Sequence, residues 1–249
     1  MALNIINPFL KTQINSAWES PADVQSINNQ LSEQIIRTAE LNDQGSILQM
    51  LIGAPGSGKT HLLTRIWKNS ITFRKVLFIS IPPPGDISRI NIHFLREFIS
   101  SLLEQGEPEN LLPLDLFLTE ILRTILMKTL PPEQQTVIEK IKASKSEDLF
   151  KLLTKSENRS IFINHSLSNF STIFPDIDIQ LSQALFALLD PFRKDYALKW
   201  FQGGELTEQE QNTLNIGSKL IDENNAIALT KSLIKLSPLP IILSLDQIE

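Results

Sequence analysis

Eight consecutive residues, Gly53-Ala54-Pro55-Gly56-Ser57-Gly58-Lys59-Thr60, set three glycines beside a lysine and a hydroxyl. Their spacing is G-x-x-x-x-G-K-[ST], a pattern whose chemistry is phosphate binding. The glycines let the backbone curl so that successive N–H groups face an anion at the start of a helix. On this reading Lys59 reaches the β- and γ-phosphates of a bound nucleotide, and the Thr60 hydroxyl ligates Mg²⁺. His61 completes the candidate contact set, although its side chain reads better as packing or solvent-facing than as a ligand. A second constellation closes the chain: Pro240-Ile241-Ile242-Leu243-Ser244-Leu245-Asp246-Gln247-Ile248-Glu249. Here an apolar strand delivers an acid at its end. Asp246 is the candidate for holding Mg²⁺, directly or through water, and Glu249 for a general base acting on the attacking water. Lys59, Asp246 and Glu249 are therefore the catalytic candidates, and ATP with Mg²⁺ the expected cofactor.

No other constellation competes. His61, His93 and His165 are scattered, and with no cysteine there is no zinc spacing. Lys142, Lys145 and Lys151 alternate with Glu147 and Asp148, the pattern of a solvated helix surface rather than of a nucleic-acid patch.

The elements that must position these residues follow from hydrophobic periodicity. Residues 1–19 read as an extended lead-in anchored by Phe9, Leu10 and Trp18. Ser20-Pro21-Ala22-Asp23 is a helix start, and Val24, Ile27, Leu31 and Ile35 continue at helical spacing to about Leu41. Ile47-Leu48-Gln49-Met50-Leu51-Ile52 is expected to be the strand leading into the glycine loop. A second strand, Lys75–Ile81, has the unbroken apolar run of a strand buried on both faces, and Pro82-Pro83-Pro84-Gly85 ends it as a rigid exit loop. Phe94 to Leu103 repeat at helical spacing.

From about Leu111 to Ser237 the apolar residues keep to a helical period, and Thr207-Glu208-Gln209-Glu210 is a capping box. Ile161-Phe162-Ile163 fits either a short strand or part of a helix. The predicted organisation is a lead-in and helix over 1–45, a phosphate-binding core over 46–110, a helical insertion over 111–237 and an acidic strand over 238–249.

Length and composition are those of a soluble globular protein: 249 residues, 42% hydrophobic and 20% charged. The net charge of −5 supplies no global basic field to draw the chain to nucleic acid. The absence of cysteine excludes disulfides and suits the cytoplasm. There is no signal-peptide pattern, and no apolar run approaches the roughly 20 residues that span a bilayer, so no membrane partner is expected.

The pairing of the glycine loop with a distant acidic strand resembles P-loop ATPases of the AAA+ and STAND type, which have an additional strand between the two. GTPases are a poorer match: D-x-x-G does not follow the strand, and N-K-x-D is absent. Gln247 departs from the Asp-Glu pair of most AAA+ members, whereas D-Q-x-E resembles the STAND form. Lys199-Trp200-Phe201-Gln202-Gly203-Gly204-Glu205-Leu206-Thr207, followed by Leu214–Gly217 and Ile221–Ala226, is similar to a stretch of ATPases from BREX-type phage-defence islands.

The resemblance implies an α/β fold, a P-loop NTPase three-layer parallel sheet, incomplete after the third core strand and interrupted by the large helical insertion. It implies sheet order 5-1-4-3-2, with strand 4, the sensor residue and the lid falling after Glu249. It further implies an ATP-driven switch or motor, a possible oligomer, acting on DNA or on partner proteins of antiviral defence. With those groups missing, the isolated chain is expected to be a weak ATP hydrolase. The alternative is a non-catalytic nucleotide-binding interaction module.

Overall fold

A computed structural model describes residues 25–42, 45–52, 57–73, 75–104, 111–154, 156–218 and 220–245. The chain divides into two compact units. One comprises residues 1–83, 104–110 and 239–249; the other comprises 84–103 and 111–238.

The first unit contains helices α1 (Gln25–Leu41) and α2 (Lys59–Phe73) and strands β1 (Leu77–Ile81) and β2 (Ile241–Leu245). The strands pair in parallel, with Leu77 opposite Ile241 and Ile81 opposite Leu245. Side chains alternate across a strand, so Phe78 and Ile242 share one face. Phe78 joins Ile36 of α1, Leu62, Ile66 and Trp67 of α2, and Val76 in a common core, against which Ile242 packs. The helical residues recur every three to four positions, which puts them on one stripe of each helix. Polar contacts fix the two helices in place. Asn69 Nδ2 donates to the fully buried Ser32 Oγ at 2.8 Å, and Lys75 pairs with Glu40 at 2.9 Å.

The second unit is helical. It comprises α3 (Ile90–Leu103), α4 (Pro113–Thr129), α5 (Gln135–Ala143), α6 (Ser146–Thr154), α7 (Ser156–Ile173), α8 (Ile179–Ala187), α9 (Lys194–Phe201), α10 (Glu208–Leu214) and α11 (Glu223–Leu236). Helix α4 is its hub. Leu114, Leu116, Phe117, Leu118, Ile121, Leu122, Ile125 and Leu126 are all buried, an apolar surface too wide for one neighbour, and α3, α5, α6 and α7 pack around it. Helices α3 and α11 pack along Leu95, Phe98, Ile99 and Leu102 on one side and Ala226, Leu229, Leu233 and Leu236 on the other. Ile161-Phe162-Ile163 lies within α7.

This architecture corrects the fold expected from the glycine loop. Among the described residues the chain is almost entirely helical, and its sheet has two strands. Among the described residues no three-layer P-loop sheet is formed. The run Ile47–Ile52, expected as the strand that leads into the loop, has no regular structure, and Leu48 and Ile52 are 90% and 87% exposed. An apolar run becomes a strand only if a neighbouring strand satisfies its backbone groups, and among the described residues none does. The predicted lead-in and the Ser20–Asp23 helix start lie outside the described residues.

Candidate functional site

The predicted site residues divide between those the structure describes and those it does not. Gly53, Ala54, Pro55, Gly56, Asp246 and Glu249 lie outside the described residues. Ser57 and Gly58 form a bend, and Lys59, Thr60 and His61 make the first turn of α2. Gly58 takes φ +86°, a backbone conformation that side chains resist, and its carbonyl accepts from Leu62 N at 2.9 Å to begin the helix. Thr60 O accepts from the Thr64 hydroxyl at 3.0 Å one turn later. Burial and then the nearby Lys68 ammonium hold the His61 imidazole below its ordinary pKa, so its neutral form is favoured.

What these residues were expected to hold is not supported. No group of three or more His, Cys, Asp or Glu among the described residues could hold a metal ion. The two-stranded sheet does not make the parallel platform from which a nucleotide-binding loop projects. The assignment of ATP and Mg²⁺ as cofactors is corrected accordingly. The ATP-driven switch or motor and the nucleotide-dependent interaction module go with it, as do the associated Walker-motif, hydrolase and antiviral-defence readings.

The segment that carried the resemblance to phage-defence ATPases has an architectural role inside the helical unit. Helix α9 ends at a left-handed Gly203, φ +72°, with Gly204 N donating to Lys199 O at 2.8 Å and Gly203 N to Trp200 O at 2.9 Å. These two bonds are the paired 6→1 and 5→2 closure of a helix C-terminus. A Cβ on Gly203 would lie 2.9 Å from Ile92 Cγ2, so the close approach to α3 also demands glycine. Lys199 Nζ then pairs with Glu210 at 2.8 Å, and Glu210 closes the capping box with Thr207. The buried Trp200 donates its indole N–H to Ser218 O at 3.1 Å. Lys199, Trp200, Gly203, Gly204, Thr207 and Glu210 thus each have a packing or capping role.

No protein-family model matches the chain, and neither a curated protein nor a solved structure matches it. With the fold as described, the resemblance to AAA+ and STAND ATPases, and to the BREX-type relatives, is therefore withdrawn.

One arrangement is not legible in the sequence. Among the described residues β2 is paired on one side only, through β1. On the face shared by Leu77, Ile79 and Ile81, the β1 residues are buried, whereas Leu243 and Leu245 of β2 are 45% and 48% exposed. The same unit carries Ile47, Leu48, Met50, Leu51 and Ile52, all exposed. Periodicity marks both stretches as apolar, and apolar runs are ordinarily read as core. Their exposure is what makes them candidates for binding.

Proposed function

We propose that the unit built from α1, α2 and the β1–β2 sheet is a binding module that takes up an extended apolar segment of a protein partner at the edge of β2. The observation that supports this is the half-exposed Leu243 and Leu245 on a strand paired on one side only among the described residues. A strand edge presents backbone donors and acceptors that another extended chain can complete. Parallel sheets are ordinarily covered, which makes an accessible apolar edge informative. At five residues, β2 offers about 17 Å of ladder, enough for affinity from the backbone and selectivity from alternate side chains.

A protein segment suits this edge better than DNA, because leucines line it and the chain's net charge is −5. The cysteine-free sequence supports a cytoplasmic setting. No helix among the described residues is long and apolar enough to cross a membrane.

The test is titration with a fluorescent peptide of alternating valine and threonine, flanked by lysines for solubility. Saturable anisotropy should come with slowed amide exchange at Ile241–Leu245, and Leu243→Lys with Leu245→Lys should weaken binding at least tenfold. Exchange at β2 that ignores saturating peptide would overturn the proposal.

A further inference from the structure

We infer that the natural occupant of the β2 edge is the segment Ile47–Ile52 of a second copy of this chain, exchanged reciprocally in a homodimer. The inference rests on the strand-addition reading and names its partner. Donor and acceptor are on the same polypeptide. Ile47-Leu48-Gln49-Met50-Leu51-Ile52 is six residues long, matches the five-residue β2 in length, and carries five apolar side chains that are exposed in the single chain. Leu243 and Leu245 supply the exposed apolar surface facing it. Within one chain neither stretch is covered by the other, although both belong to the same compact unit.

A contiguous exposed apolar run is a mark of an interaction surface. A strand edge is a template for a further strand; Ile241–Leu245 itself carries no lysine, proline or acid, and Pro240 and Asp246 bound it. Each copy would give one strand and receive one. Exchanged reciprocally between two copies the contact is closed and two-fold and yields a dimer; run head to tail, the same donor and acceptor would give an open chain, seen as species larger than a dimer. The exchange covers both exposed runs in both copies. Pairing β2 with β2 would leave Ile47–Ile52 in water.

Sedimentation velocity between about 1 and 100 µM tests the inference in the concentration range of moderate interfaces. The wild-type chain is expected to sediment as a dimer at the upper end. A donor variant, Leu48→Lys with Ile52→Lys, and an acceptor variant, Leu243→Lys with Leu245→Lys, should each be monomeric with unchanged far-UV circular dichroism. All four positions are at least 45% exposed, so the folded monomer has little to lose. Mixing the two variants should restore a weaker heterodimer, because one donor and one acceptor remain intact between them.

A monomeric wild type, a donor variant that still dimerises, or a mixture that stays monomeric would each overturn the exchange. A wild type that is monomeric yet binds the valine–threonine peptide would remove this inference alone. Failure of both would remove the strand-addition reading as well.

Discussion

His61 shows how a single residue's environment converts into a measurable pH dependence. Burial and the Lys68 charge disfavour its imidazolium in the folded state, so its folded pKa lies below the ordinary histidine value of 6.5. The unfolded chain therefore takes up a proton first as the pH falls. The contribution of His61 to stability is complete above 6.5 and is lost as the pH drops through the lowered value. Urea midpoints measured from pH 7.5 to 5 should decline, and His61→Gln should flatten part of that decline. An unchanged slope in the variant would show that the imidazole is not the group responsible.

Gly203 is the second residue whose conformation has consequences. Its φ of +72° and the 2.9 Å approach of Ile92 to a would-be Cβ make Gly203→Ala both strained and crowded. A loss of about 1–3 kcal/mol is expected from chemical denaturation. A neutral result would mean that the α9 terminus and α3 separate freely.

Among the elements, two helix ends in the helical unit are completed by side chains from distant parts of the chain. The Glu223 carboxylate, in the first turn of α11, accepts from Asn91 N at 2.9 Å and Ile92 N at 3.2 Å at the start of α3. It satisfies two donors that the helix leaves unpaired, and its charge complements the positive end of the dipole. Glu223→Ala should cost about 1–2 kcal/mol, the range of a lost N-cap. Amide exchange should accelerate first at Asn91 and Ile92.

Arg123 does the corresponding work at a C-terminus. From α4 it pairs with Glu120 at 3.0 Å and donates to the carbonyls of Ile141 and Ser144, closing α5. Arg123→Met keeps the stem and removes the donors. Loss of charged hydrogen bonds in a half-buried site predicts about 2–3 kcal/mol, read as a lower midpoint with an unchanged m-value.

Most of this element structure was legible in the sequence. The helices around Leu114–Leu126, Leu181–Leu188 and Leu229–Leu236 have the expected period, and the Thr207–Glu210 capping box opens α10 where the pattern puts it. Leu77–Ile81 is a strand within the expected Lys75–Ile81, and Ile241–Leu245 is one within the expected 238–249, whose Asp246 lies outside the described residues. The bonds of Glu223 to α3 and of Arg123 to the end of α5 were not legible. Neither partner is marked by local spacing, and in one case 132 residues separate them.

For the whole molecule the decisive property is where apolar surface remains uncovered. Apolar exposure at Leu48, Ile52, Leu243 and Leu245 falls in two short runs of one unit, whereas the helical unit exposes separate side chains such as Ile87, Ile161 and Phe192 around a largely buried α4. The dimer inferred from this distribution makes stability concentration-dependent. Raising the chain from about 1 to 100 µM should raise the thermal midpoint of the wild type by several degrees, because mass action stabilises the associated form. The midpoint of the Leu48→Lys and Ile52→Lys variant should be independent of concentration.

By itself the sequence determined the helices and the one cap built within a single turn, because a 3.6-residue period and a Thr-x-x-Glu box are local signals. It equally displayed a glycine loop whose spacing promised a nucleotide site. Only the tertiary structure decided that promise. A strand has no internal hydrogen bonds and exists only where another strand meets it. Ile47–Ile52 is as apolar as β1, yet β1 found β2 some 160 residues away, and Ile47–Ile52 has no such neighbour among the described residues.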